Sequence, residues 1–229
     1  MTHIRLHHAP QARSMRVIWM LEELGLDYEL VSYNFFDKSL RSDEYRALNP
    51  AGRVPALELE DGQVICESGA AVEYLAERGD GALSRAPGSS ERAQYLDLLH
   101  YAETIGQHCA NLTQAHIMLY QDWMRSPTQM GLEAKRLAVT LKRLDAQLSD
   151  GREWMLQSGF SAVDCVLAYG VFVSEKFTSL ADMPNLSAWW GRYQARPSFS
   201  KALPKEGEAL IYRQDFYAPP VVIKPEEKA

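Results

Sequence analysis

The chain has 229 residues, of which 46% are hydrophobic and 24% are charged, as is typical of a soluble globular protein with one or two domains. Its net charge of −6 gives no overall basic surface, so we expect neither nucleic acid nor a membrane as a partner. No apolar run approaches the roughly 18 residues of a membrane span, and residues 1–5 lack a signal-peptide pattern. We therefore expect a cytoplasmic protein.

The first 78 residues alternate between patterns of period two, which predict strands, and patterns of period 3.6, which predict helices. In chain order these are a strand over 4–7, a helix over 17–24, a strand over 28–33, a loop or short helix over 38–48, strands over 54–59 and 63–66, and a helix over 68–78. The helical crossover favours parallel pairing of the first two strands, and Asp61-Gly62 predicts an antiparallel hairpin. This half is therefore an α/β domain on a mixed four-stranded sheet.

Glycine-rich and proline-rich segments then break the pattern, and only helical spacing follows. Helices are predicted over 91–124, where Pro127 interrupts, and over 130–148, 165–172, 185–196 and 198–203. Ser161-Ala162-Val163-Asp164 is a capping box before the apolar helix. We thus predict an α/β domain over 1–80, a linker over 81–89, and an all-helical domain with a C-terminal tail over 90–229. The tail is rich in aromatic residues before Pro219-Pro220, and we expect part of it to pack.

The three cysteines, Cys66, Cys109 and Cys165, lie far apart in the sequence and form no Cys-x-x-Cys motif. This pattern favours reduced thiols over disulfides or a zinc site. His7 and His8 are adjacent on a predicted strand, so their side chains should point to opposite faces and not share a metal ion. We expect no bound metal.

Arg53-Val54-Pro55 enters a predicted strand, and two interpretations are open. A proline suits the start of a strand, and only about 5–6% of X–Pro bonds are cis, which favours an ordinary trans proline. A cis bond would instead turn the Val54 backbone outward to pair with a peptide-like ligand, beside an arginine able to bind a carboxylate.

Cys66-Glu67-Ser68 lies where a strand joins a helix. The helix start and the Ser68 hydroxyl favour a carboxylate, and Glu67 can accept from an ammonium, so an amino-acid end would satisfy both. Simple capping of the helix by Ser68 is the alternative.

The loop before the first helix contains Ser14. Its hydroxyl either donates to a ligand thiolate, whose pKa a donor and a helix start would lower, or caps the helix.

Five motifs in order resemble the glutathione transferase superfamily over essentially the whole chain, in particular its bacterial and fungal serine-type members. They are the first helix from Arg13 to Leu26, the segment Asn49-Pro50-Ala51-Gly52-Arg53-Val54-Pro55, the hairpin with Glu67-Ser68, the capping box, and Pro184-Asn185-Leu186 with Ala195-Arg196-Pro197. The resemblance implies a thioredoxin-like N-terminal domain, a C-terminal helical bundle and a homodimer.

The resemblance also implies roles. Val54, beside cis-Pro55, would pair with the cysteinyl backbone of glutathione, the co-substrate, with Arg53, Glu67 and Ser68 binding its charged ends. The thiolate, with Ser14 as the catalytic donor, would attack a small electrophile or reduce an organic hydroperoxide, as in detoxification. The electrophile pocket is expected near Pro10, Tyr101, His108, Tyr120 and Trp123.

One departure keeps a second hypothesis open. Serine-type members carry the activating hydroxyl four or five residues before the arginine that matches Arg16, and Ala12 and Gln11 occupy those positions. Ser14, the backbone N–H groups of the helix start, or weak activation are the alternatives. The second hypothesis is a non-catalytic binding or regulatory protein of the same superfamily.

Overall fold

The computed structural model describes residues 3–218, which fold as a small sheet with helices followed by a helical bundle. The strands are β1 (Ile4–His8), β2 (Tyr28–Ser32), β3 (Ala56–Glu58) and β4 (Val64–Ile65), in the sheet order β2-β1-β3-β4. Leu6 pairs in parallel with Leu30 and antiparallel with Leu57, and Leu57 also pairs antiparallel with Ile65. The predicted mixed four-stranded sheet is confirmed.

Among residues 3–218, eight α-helices pack against this sheet or form the bundle. They are α1 (Met15–Glu23), α2 (Asp43–Leu48), α3 (Ser68–Ala76), α4 (Arg92–Thr113), α5 (Pro127–Gln147), α6 (Ala162–Ser174), α7 (Pro184–Gln194) and α8 (Pro197–Lys201). Within residues 3–218, none of the helices has the length and apolar character needed to cross a membrane.

The first helix joins the two halves, because its apolar residues form one core with α3, α6 and α8. Arg16 is fully buried on α1 and donates to Glu103 and to the Ala102 carbonyl of α4. Arg13 also pairs with Glu103. Burial raises the pKa of Glu103, but the two guanidiniums outweigh it and hold that pKa below its ordinary value. Charged groups therefore tie the two halves together beside the cavity described below.

The predicted capping box is confirmed at the start of α6, the most buried helix of the bundle. Asp164 accepts from the Ser161 backbone N–H at 2.9 Å, from Met155 N–H at 3.1 Å and from Trp189 Nε1 at 2.9 Å. Burial raises the pKa of Asp164 to about 6. Three donors on one buried carboxyl thus fix α6 against its neighbours.

Two predicted helix boundaries are wrong. The helix over 91–124 instead ends at Thr113 and continues only as a π-helical turn over Gln114–Met118. Pro127 does not merely interrupt a helix; it begins α5, with Ser126 accepting from Gln129 N–H at 3.3 Å. A proline suits this first helical position because no intrahelical partner is lost there.

Beyond α8 the chain has no helix or strand up to residue 218, but it does pack, as predicted. Ile211 and Tyr212 are each 6% exposed. Pro219-Pro220 lies outside the described residues. We call residues 204–218 the C-terminal segment.

Candidate functional site

A cavity of about 690 Å³ lies between the sheet domain and the helical bundle. Its charged lining residues, within the part of the chain that the structure describes, are Arg13, Lys38, Arg41, Arg46, Arg53 and Glu67. All six belong to the N-terminal half. The lining residues from α4, α6 and the C-terminal segment are uncharged. The cavity therefore has a cationic side suited to an anionic ligand, although the chain itself is acidic.

The segment before β3 is held in place by two side chains that sequence reasoning missed. The Arg53 carbonyl accepts from the Tyr45 hydroxyl at 2.6 Å and from Asn49 Nδ2 at 2.7 Å. Asn49 Oδ1 also accepts from Ala51 N–H at 3.1 Å. The Val54–Pro55 peptide is cis, as the resemblance implies and contrary to what composition alone favours. An asparagine four residues before Arg53 was the signal available in the sequence.

Gly52 is required at this bend for two reasons. Its φ of +61° lies in the left-handed region, and a Cβ at this position would meet the Leu40 carbonyl oxygen at 2.8 Å. The segment from Asn49 to Pro55 thus packs closely against the connection that precedes α2. We call this segment together with Glu67 and Ser68 the lip of the cavity.

The junction of β4 and α3 forms the other part of the lip. Glu67 is exposed at the N-cap position, and Ser68 is the first helical residue, 3% exposed and without a capping hydrogen bond. Simple capping by Ser68 is therefore wrong. Its Oγ instead accepts from Arg16 at 3.1 Å. Burial raises the pKa of the neighbouring Cys66 thiol, so a reactive thiolate is disfavoured there.

The loop between β1 and α1 turns Ala12 and Arg13 toward the cavity, and Ser14 away from it. Ser14 is 0% exposed, and its hydroxyl shares a hydrogen bond of 2.8 Å with His8 Nδ1. It provides no side-chain cap to α1. Burial, with a smaller contribution from Lys205, lowers the pKa of His8 to about 4. The structure therefore does not bring the Ser14 hydroxyl to the cavity that the other predicted residues line.

Both histidines of β1 are packed and hydrogen-bonded, and they do not converge. His7 Nδ1 lies 2.9 Å from the Tyr33 hydroxyl, and His7 Nε2 lies 2.8 Å from Glu58 Oε1. Among residues 3–218 no group of three or more histidine, cysteine, aspartate or glutamate side chains has the arrangement of a metal site.

The structure does not bring the five residues expected in the electrophile pocket to the cavity. Tyr101 donates to the Thr140 carbonyl, His108 pairs with Glu133, and Pro10 is buried outside the lining. Tyr120 and Trp123 are 73% and 80% exposed. For Tyr101 and His108 the reason is the rotation of α4 about its own axis, because both residues lie on the face of α4 that contacts α5.

The lining residues of α4 are a row of small side chains at helical spacing, Gly106, Cys109, Ala110 and Thr113. Tyr169, Ile211 and Tyr212 complete this wall. We call these residues the uncharged wall. A stripe of small residues on an otherwise ordinary helix was the signal that could have indicated the cavity-facing side.

Comparison with known proteins agrees with this geometry. The family model described as the N-terminal domain of glutathione S-transferase matches residues 12–78. Glutathione S-transferase 3 of Schizosaccharomyces pombe is 26% identical, covering 98% of each chain, and glutathione S-transferase GstA of Escherichia coli O157:H7 is 29% identical, covering 89% of this chain and 99% of its own. These matches show that the chain is similar to glutathione S-transferases over most of its length.

Solved glutathione transferases share the fold. The enzyme from Methylococcus capsulatus superposes with a TM-score of 0.75 at 27% identity, covering 87% of this chain and 96% of that one. The glutathione transferase URE2P8 from Phanerochaete chrysosporium, solved with oxidized glutathione, has a TM-score of 0.77 at 25% identity, with coverage of 88% and 94%. Membership of the serine-type branch stays a prediction. Ala12, which has no side-chain hydroxyl, lines the cavity at the position where serine-type members are expected to carry one.

Proposed function

We propose that this protein binds glutathione in the cavity and uses its thiolate to attack a small electrophile. The observation that carries this proposal is that both parts of the lip, the segment with cis-Pro55 and the Glu67-Ser68 junction, line one cavity. This cavity has an excess of basic side chains. Conjugation forms a bond from glutathione sulfur to the electrophilic carbon while the leaving group departs as an anion. With an organic hydroperoxide, two glutathione molecules give the disulfide, an alcohol and water.

The lip has matching groups for both ends of glutathione. Glu67 is an acceptor for the γ-glutamyl ammonium. Since the Ser68 oxygen already accepts from Arg16, its own proton is directed to another acceptor, which we propose is the γ-glutamyl carboxylate. The Val54 backbone would pair with the cysteinyl residue, and Arg53 would bind a carboxylate.

Because the Ser14 hydroxyl is paired with His8, we propose that Arg13 stabilises the thiolate in its place, together with the backbone at the start of α1. Arg13 lines the cavity next to Ala12. A nearby cation lowers the pKa of a thiol by favouring its charged form. The Glu103 carboxylate neutralises part of this effect, since it pairs with the same guanidinium.

Titration of the glutathione thiol bound to the wild type, to Arg13→Gln and to Ser14→Ala tests this assignment. We expect Arg13→Gln to raise the pKa of the bound thiol by about one unit. At pH values below that pKa, turnover should fall about tenfold. Ser14→Ala should leave the bound thiol pKa unchanged. The reverse result would return the catalytic role to Ser14.

A non-catalytic glutathione-binding protein is the second candidate, and the absence of a side-chain hydroxyl at Ala12 favours it. It predicts that bound glutathione titrates like free thiol and that neither electrophiles nor hydroperoxides are turned over. Thiol titration and turnover with 1-chloro-2,4-dinitrobenzene and cumene hydroperoxide separate the two.

We also propose a cytoplasmic homodimer, as the superfamily resemblance implies. Large apolar side chains stay exposed in the monomer, among them Tyr74 on α3, and Leu132 and Val139 on α5, and a subunit interface would cover such surface. Light scattering on the purified protein measures the mass. A mass of 25.9 kDa at all concentrations would contradict the dimer.

A further inference from the structure

The C-terminal segment is attached to the β1–α1 loop by a buried glutamine. Gln11 Oε1 accepts from Tyr212 N–H at 2.7 Å, and Gln11 Nε2 donates to the Tyr212 carbonyl at 3.3 Å. Gln11 is 6% exposed and does not line the cavity. Its carboxamide thus satisfies both main-chain groups of one residue, as a neighbouring strand would, across 201 positions of sequence.

Further contacts hold the same segment on both of its sides. The Tyr212 hydroxyl lies 2.9 Å from Thr113 Oγ1, which itself donates to the Cys109 carbonyl at 2.7 Å. Arg213 lies over the Phe36 ring, 5.6 Å from its centroid. The segment therefore spans from α4 to the connection after β2, and Ile211 and Tyr212 face the cavity between these attachments.

We propose that Gln11 is a positioning residue for the acceptor site: it holds Ile211 and Tyr212 in place as part of the uncharged wall. The inference rests on the proposed function, because it assigns the half of the cavity that glutathione leaves free.

The uncharged wall suits the small apolar electrophile of the proposed function. Within the described residues, the helical half and the C-terminal segment contribute no charged side chain to the cavity. Apolar acceptor surface that packs against this wall gains free energy on leaving water. Two aromatic residues, Tyr169 and Tyr212, are among those that line it.

The backbone of Gln11 permits a clean test, because its φ of +60° lies in the left-handed region. Glycine adopts this conformation freely, whereas alanine is strained there. Gln11→Gly therefore removes the carboxamide without straining the loop, and Gln11→Ala removes it with strain. Gln214→Ala is a matched control, since Gln214 is an exposed glutamine of the same segment.

The experiment measures amide hydrogen exchange over residues 205–218, glutathione affinity, and the KM for 1-chloro-2,4-dinitrobenzene at saturating glutathione. Loss of two hydrogen bonds predicts faster exchange and an acceptor KM raised about 5- to 10-fold in Gln11→Gly and in Gln11→Ala. Glutathione affinity should change less than about twofold, and Gln214→Ala should match the wild type. Tyr212→Phe, which keeps the main-chain pairing but loses the Thr113 contact, should give a smaller increase in the acceptor KM.

Unchanged exchange and acceptor KM in Gln11→Gly would overturn the inference, as would an equal loss of glutathione affinity. An effect in Gln11→Ala alone would assign the result to backbone strain and also overturn it. Exchange is measured without turnover, so faster exchange in a protein that binds glutathione but converts no acceptor would refute the proposed function while leaving the attachment intact.

Discussion

The two sides of the cavity are built in opposite ways. The N-terminal side carries all the charged lining residues that the structure describes, and its lip is shaped by contacts between residues close in sequence, such as Tyr45 and Asn49 with the Arg53 carbonyl. The uncharged wall is assembled from α4, α6 and the C-terminal segment, and its position depends on a contact between Gln11 and Tyr212. The proposed glutathione site is thus specified locally, whereas the proposed acceptor site depends on the whole fold.

The largest effect is expected where the lip is most tightly packed. Gly52→Ala should lower the free energy of unfolding by about 2–4 kcal/mol, combining the cost of a left-handed alanine with a clash against the Leu40 carbonyl. Gly25→Ala is the matched control, because its φ of +62° is almost the same and its surroundings are open. Urea unfolding and glutathione affinity are the measurements.

Gly52→Ala should also weaken glutathione binding, and Gly25→Ala should not. Equal stabilities and unchanged affinity in both variants would show that the lip is not held rigid by this close approach.

An intermediate effect is expected from His8, which is buried at the end of β1 and hydrogen-bonded to Ser14. Its pKa falls from 6.5 to about 4 on folding, so the unfolded chain binds the proton more tightly between these values. The stability that His8 contributes is therefore complete above pH 6.5 and is lost as the pH falls, by about 2 kcal/mol at pH 5. His8→Gln should remove this part of the pH dependence. Denaturant unfolding at pH 7 and pH 5 measures it, and parallel pH profiles would contradict the assignment.

The smallest effect concerns ligand recognition by the lip alone. Glu67→Gln should weaken glutathione binding about tenfold through loss of a charge-assisted hydrogen bond, while leaving the acceptor KM unchanged. Glu60→Gln is the control, since Glu60 pairs with Arg78 outside the cavity lining. A calorimetric titration measures the affinity. An altered acceptor KM in Glu67→Gln would contradict the assignment of glutathione to the lip and of the acceptor to the uncharged wall.

The same contrast explains how far the sequence could be interpreted. The parallel pairing of the first two strands, the hairpin at Asp61-Gly62 and the capping box at Ser161 follow from local patterns, and the structure confirms them. Short sequence motifs predict the residues of the lip, because the residues that shape each motif lie within a few positions of it in the sequence. The direction of the Ser14 side chain was not predictable, since it depends on whether His8 offers a partner beneath the loop.

Local sequence patterns could not predict which residues form the acceptor side of the cavity, and the reason is physical. Tyr101 and His108 satisfy the same helical periodicity as the cavity-facing residues Cys109 and Thr113, and only the rotation of α4 in the bundle distinguishes them. No periodic pattern in the sequence indicates the contact between Gln11 and Tyr212. It joins a loop to a segment without regular structure, and only the tertiary fold brings them together.

A crystal structure of the protein with S-hexylglutathione tests the central claim most directly, because this ligand carries the charged peptide and an apolar chain in one molecule. The account predicts the cysteinyl backbone paired with Val54, the γ-glutamyl ammonium at Glu67, the sulfur beside Arg13, and the hexyl chain against Tyr169, Ile211 and Tyr212. A sulfur bonded to Ser14, or a hexyl chain directed away from the uncharged wall, would contradict it.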